Sequence, residues 1–276
     1  VKSCFVILYY GKFPVWFPLF LKSCEYNSEV NWLIVTDNQY SNKIPSNIKF
    51  VNLSLKNLNQ IVNRKLNCDV TLNPKKLPDY KPMCGFLFSE YLVDYDYWGW
   101  CDIDLIFGDI KKYMETYMGM YDCVSFAEEP NAFPYGACTL IRNNKKMNEL
   151  FKQSKDLDYV LKSIECLQFD EDWTGKIESI GHVMKNSKIN FLRVTTGQDD
   201  SRLKLENPRP KRNRVGVKKR WKLLWTEGKL YRGKTELMFF HFFRTKHGIN
   251  ESFNFEEVCA YDKILLTNKR VKALHE

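Results

Sequence analysis

The sequence predicts an α/β fold of the doubly wound class, with a mostly parallel central sheet flanked by helices. Three observations carry this. Apolar runs of strand length recur early in the chain without polar alternation, the mark of strands buried on both faces. Helix-like stretches separate them at short intervals. Hydrophobic residues make up 44% of the 276, enough for a large core and too many for a disordered chain.

The first strand is expected over 3–10, Ser-Cys-Phe-Val-Ile-Leu-Tyr-Tyr, and Gly11-Lys12-Phe13-Pro14 ends it. A helix over 15–24 follows in spite of Pro18. Strands are expected at 30–35 and 48–51, with a turn at Thr36-Asp37-Asn38 and a helix at 54–67. Residues 83–94 read as a helix and the aromatic run 95–101 as a strand. Helix 110–118, strands 122–126 and 137–141, and helices near 145–153 and 156–167 come next. A hairpin is expected around 225–230, and a last strand at 237–243, Leu-Met-Phe-Phe-His-Phe-Phe. No internal repeat is visible. The chain divides into a core over 1–200 and a C-terminal part over 201–276.

The net charge of +9 is local. Residues 201–234 hold 13 Lys/Arg against two Glu, and the remainder is close to neutral. Pro208-Arg209-Pro210-Lys211-Arg212-Asn213-Arg214 and Lys218–Trp225 mix cations with Trp and Leu, which suits an anionic membrane surface. A solvated loop is the plainer alternative for 208–225. Nucleic acid is the weaker reading, because no nucleic-acid-binding motif accompanies the basic run. The nine cysteines are scattered without C-x-x-C spacing, which argues against a zinc site or disulfide framework. No run reaches the roughly 18 apolar residues of a membrane span, and the start lacks a signal-peptide cleavage site. The expected location is the cytoplasm, at the inner face of its membrane if the basic segment binds there.

Several D-x-D pairs occur, at 94/96, 102/104, 156/158 and 170/172. Asp102 and Asp104 differ in setting, since they close a strand almost free of charge. Side chains at i and i+2 of a strand share a face roughly 7 Å apart, so both carboxylates can reach one hard cation and its diphosphate. A carboxylate beside a core strand is costly unless paired or ligated. Capping the helix 110–118 is the competing role.

Lys81-Pro82, Gly85, Phe88 and the run Tyr95–Asp104, extended to Leu105-Ile106-Phe107-Gly108-Asp109, resemble the donor-site region of GT-A-fold glycosyltransferases. The fuller run resembles bacterial enzymes of surface-polysaccharide (capsule and lipopolysaccharide) assembly. The resemblance implies a GT-A core with a basic C-terminal extension, Mn²⁺ or Mg²⁺, a UDP-sugar donor, and a glycan or lipid-linked glycan acceptor. It implies Asp104 as metal ligand and Asp102 as ligand or ribose contact. It places the base near Tyr9, Tyr10 and Gly11, or near Asp37, although both stretches also read as ordinary turns. Lys81 would meet phosphate or position Asp102. His241 would be the third metal ligand and Lys246 the diphosphate contact, with Arg244 as the alternative because the H-x-x-G-x-x-K spacing is absent. Lone histidines in apolar strands are more often core residues.

Phe169-Asp170-Glu171-Asp172-Trp173 resembles the acidic acceptor-side motif of inverting members. Asp172 would be the general base, with Glu171 and Asp170 in reserve, and inverting transfer is slightly favoured. An acidic helix start is the plainer reading. The implied function is hexosyl transfer, and the alternative is a non-catalytic membrane- or nucleic-acid-binding module built on 208–225.

Overall fold

A computed structural model describes residues 1–127, 133–199, 222–242, 253–267 and 270–274. Fifteen strands lie in these segments: β1 Ser3–Leu8, β2 Val30–Thr36, β3 Ile48–Asn52, β4 Tyr97–Cys101, β5 Leu105–Phe107, β6 Cys123–Ala127, β7 Cys138–Arg142, β8 Phe191–Thr195, β9 Gly197–Asp199, β10 Lys222–Thr226, β11 Lys229–Arg232, β12 Thr235–Leu237, β13 Phe239–His241, β14 Lys263–Thr267 and β15 Val271–Ala273.

The main sheet has the order β3-β2-β1-β4-β7-β6-β8. All strands run parallel except β7, which is antiparallel to both β4 and β6. The apolar strands explain this layer: β1 and β4 are almost wholly buried, and helices or turns cover both faces. The helix over Phe17–Glu25 is followed by β2. The helix over Leu55–Leu66 starts where Ser54 accepts a hydrogen bond from the Asn57 amide and ends on Asn67 at φ 50°.

Two smaller sheets complete the fold. One has the order β5-β13-β9, and the other β12-β11-β10-β14-β15. The strand expected over 237–243 changes sheets midway. β12 pairs with β11, while β13 pairs with β5 and β9. Met238 is the crossing point: its amide donates to Thr196 O at 2.9 Å and its carbonyl accepts from Gly108 at 2.7 Å.

The continuous helix expected over 83–94 is instead a short helix, Cys84–Leu87, followed by a 3₁₀ turn, Ser89–Tyr91. Gly85 lies so close to the Trp98 ring that any Cβ would overlap it, and packing dictates the local path. The helices expected over 110–118, 145–153 and 156–167 are also shorter, at Ile110–Met114, Lys145–Asn148 and Leu157–Lys162. The hairpin at 225–230 is present as β10 and β11. Of the basic stretch, 208–221 lies outside the described residues, and Lys222–Trp225 enter β10. No helix among the described residues is long and apolar enough to cross a membrane. The nine cysteines form no disulfide.

Candidate metal centre and active site

The site forms where β4 leaves the main sheet. Asp102 donates its amide to Ala137 O at 3.0 Å, so the chain turns at once and returns as β5. Trp16 Nε1 donates to Ile103 O at 3.1 Å, and the Phe242 amide donates to Asp104 O at 2.9 Å. Both flanks of the turn are thereby anchored to distant elements.

β13 brings His241 to this turn, since it pairs antiparallel with β5 in the register His241↔Leu105. His241 Nε2 lies 3.2 Å from Asp104 Oδ1, and both side chains are buried. One ligand atom each from Asp102, Asp104 and His241 fall within 4.8 Å of one another. The other imidazole nitrogen, Nδ1, shares a hydrogen bond of 2.8 Å with the Tyr135 hydroxyl. An imidazole that donates from Nδ1 turns the Nε2 lone pair onto the Asp104 carboxylate. In that tautomer a cation beside the two atoms would relieve their repulsion, and in the other Nε2–H faces Asp104 Oδ1 as a donor. Two carboxylates and one imidazole form a donor set that suits a divalent ion such as Mn²⁺, and the bond at Nδ1 is how metal-binding histidines are commonly oriented. The residues therefore fit a metal. Tyr135 itself stacks on Phe239 at 6.2 Å, beneath the Arg193 guanidinium.

Lys81 forms the second part of the site. Its Nζ lies 2.8 Å from Asp102 Oδ1 and 3.1 Å from Asp170 Oδ2, and it donates to Gly136 O at 2.7 Å. Burial disfavours the Lys81 ammonium, but Asp102 and Asp170 outweigh this and hold its pKa above the ordinary lysine range. Burial dominates at Asp170 and pushes its carboxyl up to about 7, against the pull of Lys81. Glu171 Oε2 accepts from the Gly136 amide at 3.0 Å. A Cβ on Gly136 would collide with both acidic side chains, so only glycine allows this approach.

Asp172 is turned elsewhere. Its Oδ1 accepts from the Thr174 amide at 2.9 Å and the Thr174 hydroxyl at 2.6 Å, and Oδ2 faces the Ile177 amide at 3.4 Å. Burial disfavours its charge, yet these hydrogen bonds prevail and hold its pKa below the ordinary range. The structure thus joins Asp170 and Glu171 to Lys81 and Gly136, and gives Asp172 to its own turn.

A cleft of about 460 Å³ opens above the pair, lined by Tyr9, Trp16, Leu77, Lys81, Asp102 and Asp104 among others. It lies at the carboxyl ends of β1 and β4, where parallel sheets commonly bind ligands. Burial, and then the Asp104 carboxylate, push the Tyr9 phenol up. Tyr10 is buried in the core on the other side of the backbone. Gly11 is exposed at φ 106°, a conformation that favours glycine, and Asp37 is exposed at the end of β2. Arg244 and Lys246 lie outside the described residues.

Three contributing residues, Tyr135, Lys76 and Asp79, carry little signal of their roles in the sequence. Tyr135 carried no signal beyond its place before Gly136. Lys76 and Asp79 form a buried ion pair at 2.6 Å. Asp79 also accepts from the amides of Leu167 at 2.9 Å and Phe169 at 2.8 Å, and Lys76 donates to Glu165 O at 2.9 Å. This pair clamps the segment carrying Lys81 to the loop carrying Asp170. The i, i+3 spacing of Lys76 and Asp79 inside a proline-flanked run was the available hint.

A family described as "Family of unknown function (DUF6625)" matches residues 5–274. The chain belongs to this family. Among curated proteins, none matches this DUF6625 member. Among solved structures it is similar to the glycosyltransferase GlyE of Streptococcus pneumoniae TIGR4, at 13% identity and a TM-score of 0.34. It is similar also to the apo form of that protein, at 15% and 0.33. Each match covers 70% of this DUF6625 chain and 45% of the GlyE chain, so the chain spans less than half the length of that neighbour.

Proposed function

We propose that this DUF6625 member is a metal-dependent glycosyltransferase of the GT-A kind, moving a hexose from a UDP-sugar to a glycan or lipid-linked glycan acceptor in bacterial surface-polysaccharide assembly. The observation that carries the reading is the gathering of Asp102, Asp104 and His241 at the mouth of a cleft lined by Tyr9.

Asp102, Asp104 and His241 would hold Mn²⁺ or Mg²⁺, which supplies positive charge to a departing diphosphate. Tyr9 offers a face for uracil along the cleft wall. Lys81 holds Asp102 in place and adds a fixed positive charge beside the diphosphate. Glu171 is the carboxylate best suited to take the proton of the acceptor hydroxyl, because both oxygens of Asp172 are engaged within its turn. Asp170 keeps Lys81 charged and tunes that end of the site. Lys246 remains the proposed diphosphate contact, and 208–225 the proposed membrane contact.

The test is calorimetric titration of Mn²⁺ and UDP into wild-type protein and Asp104→Ala, alongside Mn²⁺-dependent hydrolysis of a UDP-sugar panel. Wild type should bind UDP only with Mn²⁺ and turn over one donor, and the variant should lose both. Wild-type protein that neither binds UDP nor hydrolyses any donor refutes the proposal.

A further inference from the structure

Trp173 is an exposed tryptophan on a turn that has little freedom to move. Its side chain is 65% exposed, whereas Trp32, Trp98, Trp100 and Trp225 are fully buried. A single exposed apolar residue usually needs no explanation. Here three further observations give it one.

The first is rigidity. The Glu171 and Asp172 amides both donate to Gln168 O, at 3.0 and 2.7 Å, and Gln168 sits at φ 59°. On the other side, the Asp172 carboxylate takes the Thr174 and Ile177 bonds, and Ser179 Oγ donates to the Asp172 carbonyl. The backbone on both sides of the indole is therefore held before any ligand arrives. The second is position. Trp173 is three residues from Asp170, within about 11 Å along the chain. Asp170 reaches Asp102 through a single lysine, at 3.1 and then 2.8 Å. The third is chemistry. An exposed indole two residues along the chain from the Glu171 carboxylate can offer one ligand an apolar plane and a hydroxyl-binding oxygen together. A pyranose ring has the matching pair of surfaces: an apolar C–H face and an equatorial belt of hydroxyls.

We infer that Trp173 is the stacking platform for a pyranose ring of the acceptor glycan, with Glu171 receiving that ring's hydroxyls. This deepens the glycosyltransferase reading and rests on it for the word acceptor; the stacking of a sugar on Trp173 can be tested without it.

The probes are methyl glucoside, methyl galactoside and N-acetylglucosamine, added to the full chain and followed by saturation-transfer NMR and tryptophan fluorescence. UDP binding with Mn²⁺ is measured on the wild-type protein in parallel. At least one pyranoside should show saturation at its apolar C–H face and alter the fluorescence. Trp173→Ala should weaken that binding about tenfold or more, and Trp173→Phe should recover much of it, while both melt like the wild type. The inference is overturned if no pyranoside contacts the wild type, or if Trp173→Ala binds as well as wild type. A wild-type protein that binds pyranosides through Trp173 but ignores UDP and Mn²⁺ would sink the glycosyltransferase reading and leave the platform standing.

Discussion

Replacing Asp79 with asparagine keeps the size of the side chain and removes one half of a buried ion pair. Lys76 and Asp79 are 1% and 0% exposed, so solvent screening does not soften the loss. Asparagine can still accept one backbone bond through its oxygen. Its amide nitrogen then faces two donors, the Lys76 ammonium at the former 2.6 Å contact and the Leu167 amide at the former 2.9 Å contact. An ammonium left buried without its counterion costs about 3–5 kcal/mol. That is a large share of the roughly 5–15 kcal/mol that holds a typical domain together. Urea denaturation followed by tryptophan fluorescence should show the unfolding free energy of Asp79→Asn lowered by about 3–5 kcal/mol, as a lower midpoint at unchanged m. The double variant Lys76→Met/Asp79→Leu removes both charges but leaves the Leu167 and Phe169 amides without an acceptor, at about 1–3 kcal/mol each. It should therefore recover only part of the loss. A loss below about 1 kcal/mol for Asp79→Asn would refute the view that this pair clamps the two segments.

Tyr135→Phe removes the hydroxyl that orients His241, and Mn²⁺ affinity should fall about 10–100-fold while the melting temperature without metal stays near wild type; titration of the metal alone measures this, and unchanged affinity would count against the imidazole as a ligand. Asp170→Asn should flatten the pH dependence of stability in metal-free protein. The folded-state pKa of Asp170 is raised, so its contribution is complete below the ordinary carboxyl pKa and is lost as pH rises through about 7. Melting curves of both proteins across that range check it, and parallel pH profiles would show that Asp170 does not titrate in this way.

Strands β1 to β4 and the helix Leu55–Leu66 were legible because their signals are local: long buried runs, and a serine cap before an amphipathic stretch. β5 was not, since three residues directly after the D-x-D carry no period of their own. The break at Met238 was invisible for a related reason. An apolar run reports burial, and it does not report which of two sheets takes the hydrogen bonds. In the site, the setting of Asp102 and Asp104 and the oddity of a histidine among phenylalanines could both be read directly. Tyr135 could not, because its role depends on β13 lying against β5. Nor could the division of labour among Asp170, Glu171 and Asp172. Three adjacent carboxylates look alike in sequence, and only the partners at Lys81, Gly136 and Thr174 separate them.

The strand carrying His241 reaches the aspartates from about half a chain away, and its slot lies between β5 and β9. A nascent chain that has emerged only as far as β8 already holds both aspartates and most of the main sheet. It lacks the imidazole, along with the neighbour that β5 needs. Gathering of Asp102, Asp104 and His241 is thereby tied to the late stages of synthesis, and a truncated product would carry the D-x-D without its histidine neighbour.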